Sequence, residues 1–496
     1  MPKRIAPGFW EILPAALSWG IIFFLAALAF LHPAFCALFL VSFDFYWIIR
    51  TLYLTVLLVL ARRRLAKEGR RNCLAACCRL PEAKGWPRLY QLVIFPVYRE
   101  GPEVLRASLR ALADCDYPKD RMLVAVSFEK RNPDAFAHAA ELEKEFGGEF
   151  FFYLSAMHPD GIAGEGRTKG ANATWAARQA KEFLDSRGIG YERVVVSCFD
   201  ADTCVAKEYF SCLSWHFLTQ PKPHQASYQP VPVYNNNIWQ APSFALLVEI
   251  TSSFCQMIEG VRPEKFVTFS SHSMSFQTLV EVGYWPLDMV SDDSLIYWKA
   301  FLFFNGDYRV IPLYTTVSMD AAFCRGLLPT VILQYKQKRR WAWGVENFPF
   351  AARGFLANRH IPLAKKIRRG LNMQEGHVTW AVWAVILVII SPLPVVSGGA
   401  IFGQTAIGFN LPKITGFLFN FTLLTSLAMV ILSRSILPPR PRGVSRLKNL
   451  LMIVEWLAVP LIIAILGSLP ALDAQTRLAL GRRLRFNPTP KGGKVI

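Results

Sequence analysis

The chain has 496 residues, a hydrophobic fraction of 53% concentrated toward its two ends, and a formal net charge of +19. Its length allows more than one structural unit. The basic residues cluster beside apolar spans, as in "ARRRLAKEGRR" and "SRSILPPRPRGVSRLK", rather than along one soluble surface. That distribution excludes nucleic acid as the expected partner and matches the positive-inside bias of membrane proteins.

In chain order, Phe9 to Phe30 and Pro33 to Leu60 each hold enough apolar residues to cross a hydrocarbon core, which takes about 20. They read as a transmembrane hairpin within a first unit, 1–85. Lys3 and Arg4 precede it and Arg62, Arg63 and Arg64 follow it, so both ends are expected in the cytoplasm. A cleaved signal peptide is disfavoured, because no small-residue cleavage site precedes the second span. Cys73, Cys77 and Cys78 form the one cluster among ten scattered cysteines. No matching Cys or His pair lies nearby in sequence to complete a zinc site, so unpaired thiols in a reducing cytoplasm are expected.

The second unit, 86–350, alternates charged and apolar residues as a soluble domain does. "LYQLVIFPVYREG", "RMLVAVSFEK", "EFFFYLSA" and "ERVVVSCFDAD" predict buried strands, and "EVLRASLRALADCDYP" predicts a helix from the spacing of Val104, Leu105, Leu109 and Leu112. Alternating strands and helices indicate an α/β sheet with ligands beyond the carboxyl ends of its strands. The third unit, 351–496, carries the apolar stretches Val378 to Val396, Ile414 to Leu432 and Leu450 to Leu469. The loop between the first two is nearly uncharged and the next is strongly basic, which places them outside and inside respectively. Counting spans then puts the basic tail outside, against the same rule; a re-entrant hairpin broken at Pro460 resolves the conflict and is the preferred reading.

Three clusters carry chemistry. In "CFDADT", Asp200 and Asp202 follow a very apolar strand, and two carboxylates in one turn can approach the same point, which suits Mg²⁺ or Mn²⁺ shared with substrate phosphates. A solvated turn is the plain alternative. "VSDDSL" supplies Asp292 and Asp293, either as a general base or as the capping turn of the helix "SLIYWKAFLFF". "GRTKGANAT" places Lys169 and Asn172 on a Gly-rich turn opening a helix, a place suited to phosphate contacts.

Taken together, "FPVYREG", "SFEK", "KGAN", "FDADT", "SDD" and "QKRRW" resemble the processive, membrane-embedded family 2 glycosyltransferases, including cellulose, hyaluronan and chitin synthases. The resemblance covers about Leu92 to Gly344 and extends to the flanking spans. It implies an α/β GT-A (Rossmann-like) cytoplasmic catalytic domain inserted between α-helical transmembrane segments, in a bacterial inner membrane, and inverting transfer from a nucleotide sugar to an acceptor hydroxyl.

The resemblance further implies that Asp200 and Asp202 bind the diphosphate through the metal, that Asp293 is the base, and that Gln337, Arg340 and Trp341 hold the acceptor end and stabilise the leaving diphosphate. Pro96, Tyr98, Glu100, Glu129, Lys169 and Asn172 complete the implied donor site. Glu129 stands where the family usually has Asp, and "SDD" replaces the commoner Thr-Glu-Asp while keeping the final Asp. "FNPTPK" is similar to the gating loop of cellulose synthases, with Phe486, Thr489 and Lys491 as its matching residues. A basic tail at lipid headgroups is the alternative.

The implied partners are a nucleotide-sugar donor, a glycan or lipid-linked acceptor and the bilayer, with any export partner unspecified. A non-processive transferase acting on a lipid carrier would share the metal site and base, and a transporter or receptor would leave both motifs without a purpose. In "LQYKQKRRWAWG", helical spacing turns Gln337, Arg340 and Trp341 inward and leaves Lys336, Lys338 and Arg339 to face lipid phosphates.

Overall fold

A computed structural model describes residues 7–433, 462 and 464–484. Two apolar helices, α1 (Phe9–Leu31) and α2 (Pro33–Glu68), lead through the short α3 (Cys73–Cys78) into an α/β domain. Its first half alternates strand and helix: β1 (Tyr90–Val97), α4 (Pro102–Ala113), β2 (Met122–Glu129), α5 (Ala135–Phe146), β3 (Phe152–His158), α6 (Lys169–Ser186) and β4 (Val194–Cys198). The second half holds β5 (Cys204–Val205), α7 (Tyr209–Thr219), β6 (Ala226–Tyr234), α8 (Ser243–Glu259), β7 (His272–Ser275), α9 (Phe276–Glu281), α10 (Asp292–Phe303) and β8 (Arg309–Met319).

The eight strands form one sheet in the order β3-β2-β1-β4-β7-β6-β8-β5. β3, β2, β1 and β4 run parallel, and β7 then pairs antiparallel with β4. All residues of β2 and β4 are buried, as continuous apolar strands covered on both faces must be. On one face α4, α5 and α7 bury Leu105, Leu109, Leu142, Phe210 and Leu213; on the other α6 and α9 bury Ala173, Ala177, Leu184 and Phe276. The expected strands and the helix over "EVLRASLRALA" are present, the helix turning Leu105, Leu109 and Leu112 inward while Val104 stays at the margin.

After β8 the described residues are mainly helical: α11 (Leu327–Ala342), α12 (Asn347–Ala357), α13 (Leu363–Val385), α14 (Leu393–Gly403) and α15 (Ala406–Ser433), followed by α16 (Leu469–Ala479). Among the described residues, three helices are long and apolar enough to cross a membrane: Phe9–Leu31, Pro33–Glu68 and Leu363–Gly403, the last containing the expected Val378–Val396 span. The expected Ile414–Leu432 span lies within α15. Most of Leu450–Leu469, including Pro460, and the tail residues Phe486, Thr489 and Lys491 lie outside the described residues.

α16 packs among α1, α11 and α13. Ser18 Oγ donates to Gln475 Oε1 (2.7 Å), Gln475 Nε2 donates to the His377 carbonyl (2.8 Å), and Arg339 pairs with Asp473 (2.8 Å). Ile22, Leu25 and Leu40 share one apolar cluster with Trp343, Val382, Ile386 and Leu472, so the apolar helices are packed directly against the end of α11.

Candidate active site

The site forms where β4 ends. Beyond Cys198 the chain leaves the sheet in a turn, and Asp200 and Asp202 project from it on either side of the buried Ala201. Asp202, 2% exposed, accepts the Asp320 amide at 2.8 Å, which ties the turn to the end of β8. Asp200 Oδ2 accepts Ser270 Oγ at 2.8 Å.

Lys169 joins this turn to α10. Thr168 caps α6, its Oγ1 accepting the Ala171 amide at 3.3 Å, and so aims the first residue, Lys169, across the strand ends. Its Nζ lies 2.7 Å from Asp200 Oδ1 and donates to both carboxylate oxygens of Asp293 at 3.0 Å. Burial alone would lower the Lys169 pKa, but the charges of Asp200 and Asp293 outweigh it and hold the ammonium well above its ordinary value. Gly170 permits the close approach of α6 to α10: a Cβ there would lie 2.4 Å from the Pro286 carbonyl oxygen and 2.9 Å from Asp292 Cβ.

Asp292 and Asp293 form the first turn of α10, so "SDD" both opens the helix, where its dipole favours acidic groups, and lines the site. The two carboxylates differ sharply. Asp292 is 2% exposed, and burial, followed by repulsion from Asp293, raises its pKa well above the carboxylate range. Asp293 keeps a side chain 21% exposed and pairs with Lys169. His272, fully buried, stands 3.8 Å from Asp293 Oδ1. It donates through Nδ1 to the Phe269 carbonyl (3.1 Å) and accepts Trp285 Nε1 at Nε2 (3.3 Å), a network that fixes the neutral tautomer. Burial lowers its pKa to about 4. Sequence reasoning missed His272, since nothing in "SSHSMS" separates it from an ordinary strand residue.

α11 supplies the opposite wall. Gln337 is 4% exposed and its Oε1 has no hydrogen-bond partner among the described residues. The Trp341 ring lies 5.6 Å from that of Tyr234, the last residue of β6. That ring pair brings the end of β6 and the Gln-x-x-Arg-Trp helix to one place. Glu346, just past α11, accepts the Val290 and Ser291 amides at 3.0 and 2.8 Å, locking this wall to the segment that leads into α10 and its Asp292 and Asp293.

One assignment is corrected. Lys338 does not face lipid: it is 5% exposed, donates to Ser252 Oγ at 2.7 Å, lies 4.0 Å from Glu249 and sits 3.7 Å above the Trp341 ring. The buried carboxylate of Glu249 on α8 draws it inward, an influence invisible in a local helical pattern. Arg339 likewise turns to Asp473 rather than to headgroups, and only Lys336 of the three is exposed.

The remaining predicted residues surround the ends of β1 and β2. Asn172 Nδ2 donates to the Val97 and Ser127 carbonyls at 3.1 and 2.9 Å, clamping the two strands. Pro96 lies within β1 beside that clamp. Glu100 folds back to accept the Tyr98 amide at 2.8 Å. Glu129 pairs with Arg131, whose guanidinium covers the Tyr98 ring at 3.8 Å.

A mixed sheet with an acidic turn at the carboxyl end of a central parallel strand, faced by a second carboxylate, is the GT-A arrangement of a glycosyltransferase. Residues 195–467, more than half of the chain, match the model described as "Glycosyl transferase family group 2", and the chain belongs to that family. No curated protein matches it. Among solved structures it is similar to the mannosyltransferase PcManGT from Pyrobaculum calidifontis in complex with GDP-Man and Mn²⁺, at 15% identity over 77% of this chain and 98% of that one, with a TM-score of 0.41. It is also similar to S. aureus TarS 1-349 in complex with UDP-GlcNAc, at 13% identity over 82% and 98%, with a TM-score of 0.38.

Proposed function

We propose that this glycosyltransferase is processive, inverting and metal-dependent, of the cellulose synthase-like type, and that it elongates a β-linked glycan from a UDP-sugar at the cytoplasmic face of a bacterial inner membrane. The observation that carries the reading is the Lys169 bridge, which gathers Asp200 and Asp293 at the strand ends opposite the Tyr234–Trp341 ring pair. The three units 1–85, 86–350 and 351–496 then serve as anchor, catalytic domain and membrane exit.

Asp200 and Asp202 are the residues that would hold Mg²⁺ or Mn²⁺. Two carboxylates from one turn fit a hard cation that takes its other ligands from water and substrate phosphates. When bound, the ion supplies charge stabilisation for the departing diphosphate. Asp293 takes the proton of the attacking acceptor hydroxyl, and its ion pair with Lys169 holds it in place for that step. Arg340 stabilises negative charge as the diphosphate leaves. Trp341 and Gln337 position the acceptor end, the ring stacking on a sugar and the buried amide oxygen accepting a hydroxyl. Tyr98 and Glu129 contact the nucleoside, while Pro96, Glu100 and Asn172 shape the loops around it.

Two features support coupling to the membrane. Trp47 on α2 stacks on Trp383 of α13 with ring centroids 4.6 Å apart, and Trp47 Nε1 together with both amide atoms of Gln374 are buried without hydrogen-bond partners among the described residues. Aromatic faces beside unspent polar groups suit a passing glycan. Arg483 lies 3.7 Å from Asp288 in the catalytic domain, which supports the re-entrant reading and a cytoplasmic tail in which Phe486, Thr489 and Lys491 act as a gate. A panel of UDP- and GDP-sugars, offered to membranes containing the protein and followed by linkage analysis, tests the reading. Metal-dependent incorporation into a β-linked polymer is expected; a single-sugar product on a lipid carrier would replace it with the non-processive reading.

A further inference from the structure

Where α2 leaves the apolar region, a group of side chains that the transfer reaction does not use joins it to the catalytic domain. Glu68 ends α2 and Cys73 opens α3, while α7 brings up Cys212 and, one turn later, His216. The ligating atoms of Glu68, Cys73 and Cys212 all lie within 4.8 Å of one another. His216 Nε2 is 3.0 Å from Glu68 Oε1. Both cysteines are buried free thiols. Of the neighbouring thiols, Cys77 turns to the Ser211 carbonyl at 3.5 Å and Cys78 is exposed.

We propose that Glu68, Cys73, Cys212 and His216 bind one Zn²⁺ that fastens the end of α2 to α7. Two thiolates, an imidazole and a carboxylate are a zinc donor set, and four protein ligands make a closed, structural site. Cys212 and His216 are four residues apart and therefore share one face of α7. Ligand atoms in a tetrahedral zinc site stand roughly 3.3–3.8 Å apart, so closing the Glu68, Cys73 and Cys212 trio asks for shifts of about 1 Å, and His216, already against Glu68, must turn toward the two sulfurs. The charges also balance. Two thiolates and one carboxylate around Zn²⁺ leave one negative charge, and Arg71, 3.3 Å from Glu68 and packed over the Trp215 ring at 4.0 Å, faces it. Binding releases the two thiol protons to water. Sequence reasoning dismissed zinc because the second ligand pair is distant in the chain; folding α7 onto α3 supplies it.

The experiment uses the full-length protein purified in detergent. Elemental analysis after dialysis against a weak chelator should find one zinc per chain, and cobalt exchanged into the protein should show the intense thiolate-to-metal absorption that the carboxylates at Asp200 cannot give. Cys73→Ser and Cys212→Ser each remove one of two thiolates and should cut that absorption to half or less, and Cys78→Ser should keep it in full. The cobalt spectrum of the unaltered protein decides the matter even if a variant fails to fold. Absence of both zinc and the cobalt–thiolate band overturns the proposal, including the case in which Cys73 and Cys212 are found joined as a disulfide. An undiminished band in both the Cys73 and Cys212 variants overturns the ligand assignment.

Discussion

The two adjacent aspartates of α10 should respond oppositely to the same substitution. Burial, followed by the charge of Asp293, pushes the Asp292 pKa well above the carboxylate range and so favours its neutral form, and its Oδ2 has no hydrogen-bond partner among the described residues. An asparagine side chain would therefore reproduce the size and charge of the group already present, and Asp292→Asn should leave turnover within about threefold, well below the loss from a missing general base. Asp293→Asn removes the proton acceptor. A positioned base contributes roughly 10²–10⁴ in rate, about 3–5 kcal/mol of barrier, and kcat should fall by that much. Lys169 keeps its 2.7 Å contact with Asp200, so the donor site retains its charge arrangement and nucleotide affinity should hold within about threefold. Steady-state kinetics on purified protein, with calorimetry for UDP, separates the two effects. Retention of more than about a tenth of the turnover in Asp293→Asn refutes the assignment of the base, and so does an equal collapse in Asp292→Asn.

Trp341→Ala should raise the acceptor KM and lower kcat/KM by roughly 5–30-fold, the equivalent of about 1–2 kcal/mol of ring contact, with Trp341→Phe recovering part of it; an unchanged acceptor dependence would remove Trp341 from the site. Lys338→Met leaves Glu249, fully buried, without its cation and should cost about 3–5 kcal/mol of stability, read as a lowered melting temperature that Glu249→Gln restores in the same chain; a loss confined to vesicle binding would return Lys338 to the lipid surface. His272 has a folded pKa of about 4 against an ordinary 6.5. Below pH 6.5 the unfolded chain therefore binds a proton that the folded one refuses, and stability falls as pH drops toward 4, by about 3 kcal/mol in all. Denaturant titrations of the protein and of His272→Gln should show that slope and its loss; identical slopes in the two would place the titration elsewhere.

The parts of the fold readable in the sequence are those written in local patterns. The four parallel strands are short, mainly apolar runs, and α4 shows its buried leucines at helical spacing. Asp200 and Asp202 announce themselves by following such a strand. What stayed hidden depends on groups brought together from distant segments. Lys338 reads as a surface cation until Glu249 of α8 is placed beneath it, His272 carries no local signal, and the Cys73 cluster lacks partners until α7 is folded against α3.

The distribution of product lengths at low turnover, with acceptor in large excess over enzyme, tests the central claim most directly. If the growing glycan stays in the site and passes to the apolar helices, a few acceptors will carry long chains while most remain unextended. Uniform addition of one sugar across the acceptor pool would contradict the account.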